Sequence, residues 1–171
     1  IGDDPSSTTD DAQYNVAVGI DALDAVTTGD KNVAVGYDAL TANTTGYENT
    51  VLGYQAGDVI VAGNQNVIIG RNADPSASGG VNQIVIGKGA TGHGDNIAVI
   101  GNGSATAIHP HDDDEVDLGS STYEYKDLYV DGTANVDALN LNGTAVSATA
   151  AELNIMDGVT STAAELNLLD L

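Results

Sequence analysis

The chain has no cysteine, no tryptophan and no phenylalanine, one methionine and three prolines in 171 residues. Without cysteine there is no disulfide and no thiolate site, and bridges give no clue to the compartment. Aromatic residues make up 4% of the chain and all seven are tyrosine, so the large side chains that anchor a compact core of this length are missing. Positive charge is equally scarce. Four Lys and Arg stand against 25 Asp and Glu, for a net charge of -21, which excludes nucleic acid as a partner because phosphate binding needs clustered cations. No apolar run approaches the ~20 residues of a membrane-spanning helix, and the first residues lack the basic-then-apolar layout of a signal peptide. The chain opens on Ile1 and stops at Leu171 inside what reads as another repeat, so the expectation is a piece of a longer protein.

What is present is periodicity. Asn15-Val16-Ala17-Val18-Gly19 returns as Asn32-Val33-Ala34-Val35-Gly36, Asn49-Thr50-Val51-Leu52-Gly53 and Asn66-Val67-Ile68-Ile69-Gly70, and the closing glycine continues at Gly87 and Gly101. The steps are 17 residues four times and then 14. Gly29, Gly46, Gly63 and Gly80 keep the same step, as do Ala22, Ala39, Ala56, Ala73 and Ala90. A short fixed period that opens each unit with β-branched residues and closes it with glycine predicts a solenoid, one coil per repeat. Disorder, the usual reading of so acidic a chain, is opposed outside the ends by 42% apolar residues in strict register.

Alternation places Val16/Val18, Val33/Val35, Thr50/Leu52, Val67/Ile69, Ile84/Ile86 and Ala98/Ile100 on one strand face and Ala17, Ala34, Val51, Ile68, Val85 and Val99 on the other. Both faces are apolar, and such a strand needs cover on both sides. A 17-residue coil offers one strand and a weaker Ala-Leu corner (Ala22-Leu23, Ala39-Leu40), so the second face is expected to meet other copies of the chain. A three-fold bundle does this and leaves no heterologous sticky surface. Val18, Val35, Leu52, Ile69, Ile86 and Ile100 are expected to form one inward column, in a stack about 29 Å long at ~4.8 Å per coil.

The organisation predicted is an extended lead-in over 1–11, the solenoid array over 12–107, a β-rich connector over 108–147 and 13-residue repeats over 148–171. In the connector, Tyr125–Val130 and Val136–Leu141 alternate as strands around the turn signal Asp131-Gly132. In the last segment Ala150-Ala151-Glu152-Leu153-Asn154 recurs as Ala163-Ala164-Glu165-Leu166-Asn167, with Thr149 and Thr162 at capping-box spacing ahead of the glutamates. Helical turns this short need partners.

The phrase of Asn, small aliphatics, Gly and a following Ala resembles the head repeats of trimeric autotransporter adhesins. With the segment Asp117-Leu118-Gly119-Ser120-Ser121-Thr122-Tyr123 through Lys126-Asp127-Leu128-Tyr129 and the Ala-Ala-Glu-Leu-Asn repeats, the chain from about Ala12 to Leu171 looks more like tail-fibre and appendage proteins of bacteriophages. The resemblance implies an all-β, left-handed, parallel β-roll made by three chains. It further implies a virion surface appendage, with other virion proteins and a host-surface glycan or protein as partners. The alternative is a bacterial outer-surface adhesin head that itself binds a cell surface or matrix. The 17-residue step is longer than the adhesin-head unit.

Few residues carry chemistry. His109 and His111 flank Pro110 ahead of the acidic run Asp112–Glu115. Two His one residue apart share a face of an extended strand, so three chains bring six imidazoles to an axis as an octahedral transition-metal site; the pair also resembles the iron-binding His pairs of some phage fibres. The other reading is an exposed acidic loop, since Pro110 removes a ladder donor. The acid run lacks the spaced oxygens and glycine of a calcium loop. His93 reads as a turn residue, and Gly87-Lys88-Gly89-Ala90-Thr91 lacks the spacing of a phosphate loop. Tyr14, Tyr37, Tyr47 and Tyr54 form either a sugar-binding surface or packing between coils. An ice-binding face is opposed by the lapse of Thr27/Thr28 and Thr44/Thr45 into Val61/Ala62. With no supported Ser, His and Asp set, the expectation is a structural, non-enzymatic fibre segment that spaces or presents a host-attachment tip.

Overall fold

The computed structural model describes residues 12–111, 117–136, 140–141 and 144–146. The chain divides into two compact units, Ile1–His111 and Asp112–Leu171. The first holds six strands, β1 (Val16–Val18), β2 (Val33–Val35), β3 (Thr50–Leu52), β4 (Val67–Ile69), β5 (Ile84–Ile86) and β6 (Ala98–Ile100). They form one sheet in sequence order, every pairing parallel. Val16 lies beside Val33, Val33 beside Thr50 and Thr50 beside Val67, so each repeat climbs one strand and returns to the same place. The result is a β-solenoid of about five turns, with no helix among the described residues.

Tight corners let 17 residues close a coil. The residue two before each strand, whether Tyr14, Lys31, Glu48, Gln65, Asn82 or Asn96, is left-handed, with φ between 51° and 62°. So are Asp21, Asp38, Gln55 and Asn72 after the strand. Each costs roughly 1 kcal/mol in a non-glycine residue, and inter-coil hydrogen bonds offset that cost. At Gly36, φ is +143° and a Cβ would overlap the carbonyl oxygen of Gly53 one coil on. Gly29 and Gly46 are held to glycine by the same close approach.

The second glycine register is coupled to the Asn register. The Asn49 amide nitrogen donates to the carbonyl of Gly63 at 2.9 Å, and its side-chain oxygen accepts from the Asn66 amide nitrogen at 2.9 Å and from the Asn66 backbone N–H at 3.1 Å. Asn32 and Asn66 repeat the pattern, and Asn15 starts it. Asn32, Asn49, Asn66 and Gln83 are fully buried in this ladder. Burying an amide without partners costs about 1–3 kcal/mol, so the ladder satisfies groups a narrow coil cannot hydrate and fixes its register.

The core contains Ala34, Val51, Ile68 and Val85 from the middle of the strands, packed on Ala22, Leu23, Ala39, Leu40, Ala56, Ile60, Ala73 and Ala90. The column expected to turn inward between copies lies on the other strand face. Val18, Leu52, Ile86 and Ile100 are exposed, at 41, 48, 36 and 56%, and Val35 and Ile69 are half-buried. The coil interior has room for one strand row against the Ala-Leu corner, and the middle residue of each triad takes it.

In the second unit β7 (Asn140–Leu141) pairs antiparallel with β8 (Thr144–Ala145). The strand expected over 125–130 is absent: those residues carry no ladder, and Leu128 and Tyr129 are 76% and 91% exposed. Asp131 and Gly132 bend the chain as expected but join no paired strands. Of Val136–Leu141 only Asn140 and Leu141 are strand, and 137–139 lie outside the described residues. The lead-in and the 148–171 repeats also lie outside them.

Candidate functional site

The most distinctive surface of the first unit is the outer face of its sheet. Two apolar columns, one through Val16, Thr50 and Ile84 and one through Val18, Leu52 and Ile86, stand on it. None of the twelve outward strand positions is charged, and Thr50 is the one polar residue among them. A sheet face meant for water alternates polar residues outward; this one does not.

Two side-chain ladders border the face, one at the start of the strands and one just past their closing glycines. In the first, the Lys31 ammonium meets the Glu48 carboxylate at 3.3 Å, and the Gln65 amide donates to the same carboxylate at 3.2 Å. In the second, the rings of Tyr37 and Tyr54 stack at 5.2 Å and 18°, and the Arg71 guanidinium lies over the Tyr54 ring at 5.5 Å. Lys88 continues that column exposed. The stack occupies one face of the Tyr37 ring, and Arg71 lies over the Tyr54 ring. The Asp38 carboxylate beside it raises the Tyr37 phenol above its usual range, with burial and the Asp21 charge adding to the effect.

Asp74 is the unusual titratable group. It occupies the corner position filled by the fully buried Leu23 and Leu40 in earlier coils. The intervening coil has Gly57 there, and a Cβ on it would touch Leu40, Val51 and Ile60, so in those coils the position points into the core, whereas Asp74 lacks their left-handed backbone and is half-buried. One Asp74 carboxyl oxygen is buried without a hydrogen-bond partner. Burial first, and the neighbouring Asp58 charge second, push its pKa up to about 6, against the backbone amides of Val59 and Asp58. Asp58 is raised as well, by burial and then by Asp38.

His109 and His111 are both exposed at the end of the first unit, without regular secondary structure, and Asp112–Glu115 lie outside the described residues. No three His, Asp or Glu side chains group as a metal-ligand set among the described residues, so one chain's described residues bring two imidazoles to such a site and a six-ligand site would need three chains. His93 is exposed. The Lys88 loop is a coil corner, where the Gly89 N–H donates to Arg71 at 2.8 Å and the Ala90 N–H to Gly87 at 3.2 Å; those amides are not free to cradle phosphate. The Thr27 and Thr44 hydroxyls donate to carbonyls one coil on, at 3.0 and 3.2 Å, rather than forming a row toward water. Among the described residues, a hollow lined by Asp117, Ser120 and Glu124 and another lined by Thr91, His93 and Asn102 each lack part of a Ser, His and carboxylate set.

Comparison with known protein families, curated proteins and solved structures finds no match. Sequence reasoning missed the Asn ladder and the corner carboxylate of Asp74. The first was signalled by each Asn recurring 14 residues before a glycine; the second by an Asp falling in a column that begins Leu23, Leu40.

Proposed function

We propose that this chain is a structural segment of a homotrimeric fibre, a phage or related virion appendage that spaces or presents a host-attachment tip. The observation that carries the reading is the uncharged, apolar outer face of the sheet in a chain of net charge -21. A solenoid grows by adding coils, each contacting its neighbours, so its natural product is length. Its own core occupies one strand face, and the other is left for copies related by a closed three-fold. The acidic remainder keeps assembled rods apart in solution.

Two substitutions one residue apart test this. Val35→Asp puts a carboxylate on the outer face and should abolish the trimer while the coils stay folded, because burying an unpaired charge between copies is prohibitive. Ala34→Asp puts it in the coil core and should unfold the array. Wild-type chain should sediment at three times 17.2 kDa, and antibody to the array should label fibres on virus particles. A folded monomer overturns the assembly, and label confined to a bacterial surface overturns the virion role in favour of an adhesin head.

A further inference from the structure

Each strand crosses the apolar face from one ladder to the other. When three copies turn these faces to a common axis, strand direction circles that axis. The end of each strand then meets the start of the next copy's strand. One ladder therefore faces the other at every corner of the assembly. Coil by coil, the ladder past the strands reads Ile20, Tyr37, Tyr54, Arg71, Lys88, and the ladder before them reads Tyr14, Lys31, Glu48, Gln65, Asn82.

We propose that these ladders lock neighbouring copies together with a stagger of one coil, the Arg71 guanidinium of one copy on the carboxylate of Glu48 of the partner subunit. The inference rests on the homotrimeric reading and specifies its register. Arg71 and Lys88 are two of only four Lys and Arg in a chain with 25 Asp and Glu. Among the described residues the ion pairs are Lys31 with Glu48 and Lys126 with Asp127, and Arg71 touches the Tyr54 ring. Two adjacent cations without a carboxylate, at the rim of an apolar face in so acidic a chain, are placed for carboxylates from outside their own chain.

The ladders leave three simple alignments. With no stagger, Arg71 faces Gln65 and Lys88 faces Asn82. With a stagger toward the sixth coil, they face Asn82 and Asn96. With a stagger toward the first coil, Arg71 faces Glu48, Lys88 faces Gln65, and the phenol of Tyr54 comes beside Lys31. Only the last gives a cation a carboxylate. Glu48 already accepts from Lys31 and Gln65, yet two carboxylate oxygens offer about four acceptor positions, which leaves room for an Arg. The offset required is one coil, ~4.8 Å, which a modest slope of the strands supplies.

The absence of cysteine makes this directly readable. Three double variants are oxidised and run on a denaturing gel: Glu48→Cys with Arg71→Cys, Gln65→Cys with Arg71→Cys, and Asn82→Cys with Arg71→Cys. Disulfides form where Cα atoms come within about 7 Å. The first should give a covalent trimer and the other two single chains. A second measurement guards against loss of the lock itself: Arg71→Glu should weaken trimerisation at least tenfold, and exchange of the two charges by adding Glu48→Arg should restore most of it. Cross-linking through Gln65 or Asn82, or no rescue by the exchange while wild type remains a trimer, overturns the register. A monomeric wild type is a different result and overturns the assembly beneath it.

Discussion

Asp74 is a carboxyl group in a leucine's place, and the array should be less stable at neutral pH than at pH 4 because of it. Its pKa rises from 3.8 to about 6 in the fold, so between those values the folded chain holds a proton the unfolded chain has released. Stability tied to this group is therefore complete below about pH 4, falls as pH rises through 6, and is level above. The displacement corresponds to at most about 3 kcal/mol. Asp74 is only partly buried, and screening by solvent brings the expected effect to ~1–2 kcal/mol. Asp74→Asn keeps the shape and removes the titration. In thermal unfolding at fixed chain concentration, the variant should match wild type at pH 4 and exceed it by ~1–2 kcal/mol at pH 8, a midpoint gain of about 4–8 °C per kcal/mol for an array of this size. Equal destabilisation by Asn at both pH values would show that the carboxylate is well satisfied in the fold and would refute the argument, as would wild type gaining stability from pH 4 to 7 through this residue.

Gly36→Ala should prevent folding or cost about 4 kcal/mol or more, since its Cβ overlaps the Gly53 carbonyl at φ +143°; Gly89→Ala, with φ +60° and open space around the new Cβ, should cost only ~1 kcal/mol, both read by thermal melting. If His109 and His111 from three chains hold a transition metal, native fibre should contain about one metal ion per three chains and release it to a chelator. Changing both to Ala should remove the metal and leave the array folded, and native material free of iron, zinc and nickel would end that reading.

The six strands were legible because repetition multiplies a weak signal: a three-residue strand is short, but six β-branched triads closed by glycine in one register have a single economical arrangement. Which face turns inward was not legible. Val35 and Ala34 are both apolar, so alternation separates the two faces without ranking them. The ranking comes from the interior of the coil, where Ala39 and Leu40 leave room for one strand row, and from left-handed corners. Tyr14, Lys31, Glu48 and Gln65 share that backbone shape and no side-chain property, so nothing in residue type announces it. In the connector, Tyr125–Val130 alternates like a strand, but alternation says nothing about a partner. Asn140–Leu141 is strand where its partner, Thr144–Ala145, lies three to five residues away.

The same geometry explains where the repeat is faithful and where it drifts. The alanine corner sees the same environment in every coil, so Ala22, Ala39, Ala56, Ala73 and Ala90 hold one residue type. Rim positions instead see their own equivalents ~4.8 Å above and below. Two like charges at that spacing repel by about 1 kcal/mol even in water, and a column of one repeated charge would accumulate the penalty at every step. The pre-strand ladder therefore runs Tyr14, Lys31, Glu48, Gln65, Asn82, with opposite charges adjacent and amides above. The post-strand ladder carries its cations at Arg71 and Lys88 as consecutive like charges, which goes against that rule. In the trimer register proposed above, the carboxylate of a neighbouring copy would neutralise that rung at the level of Arg71.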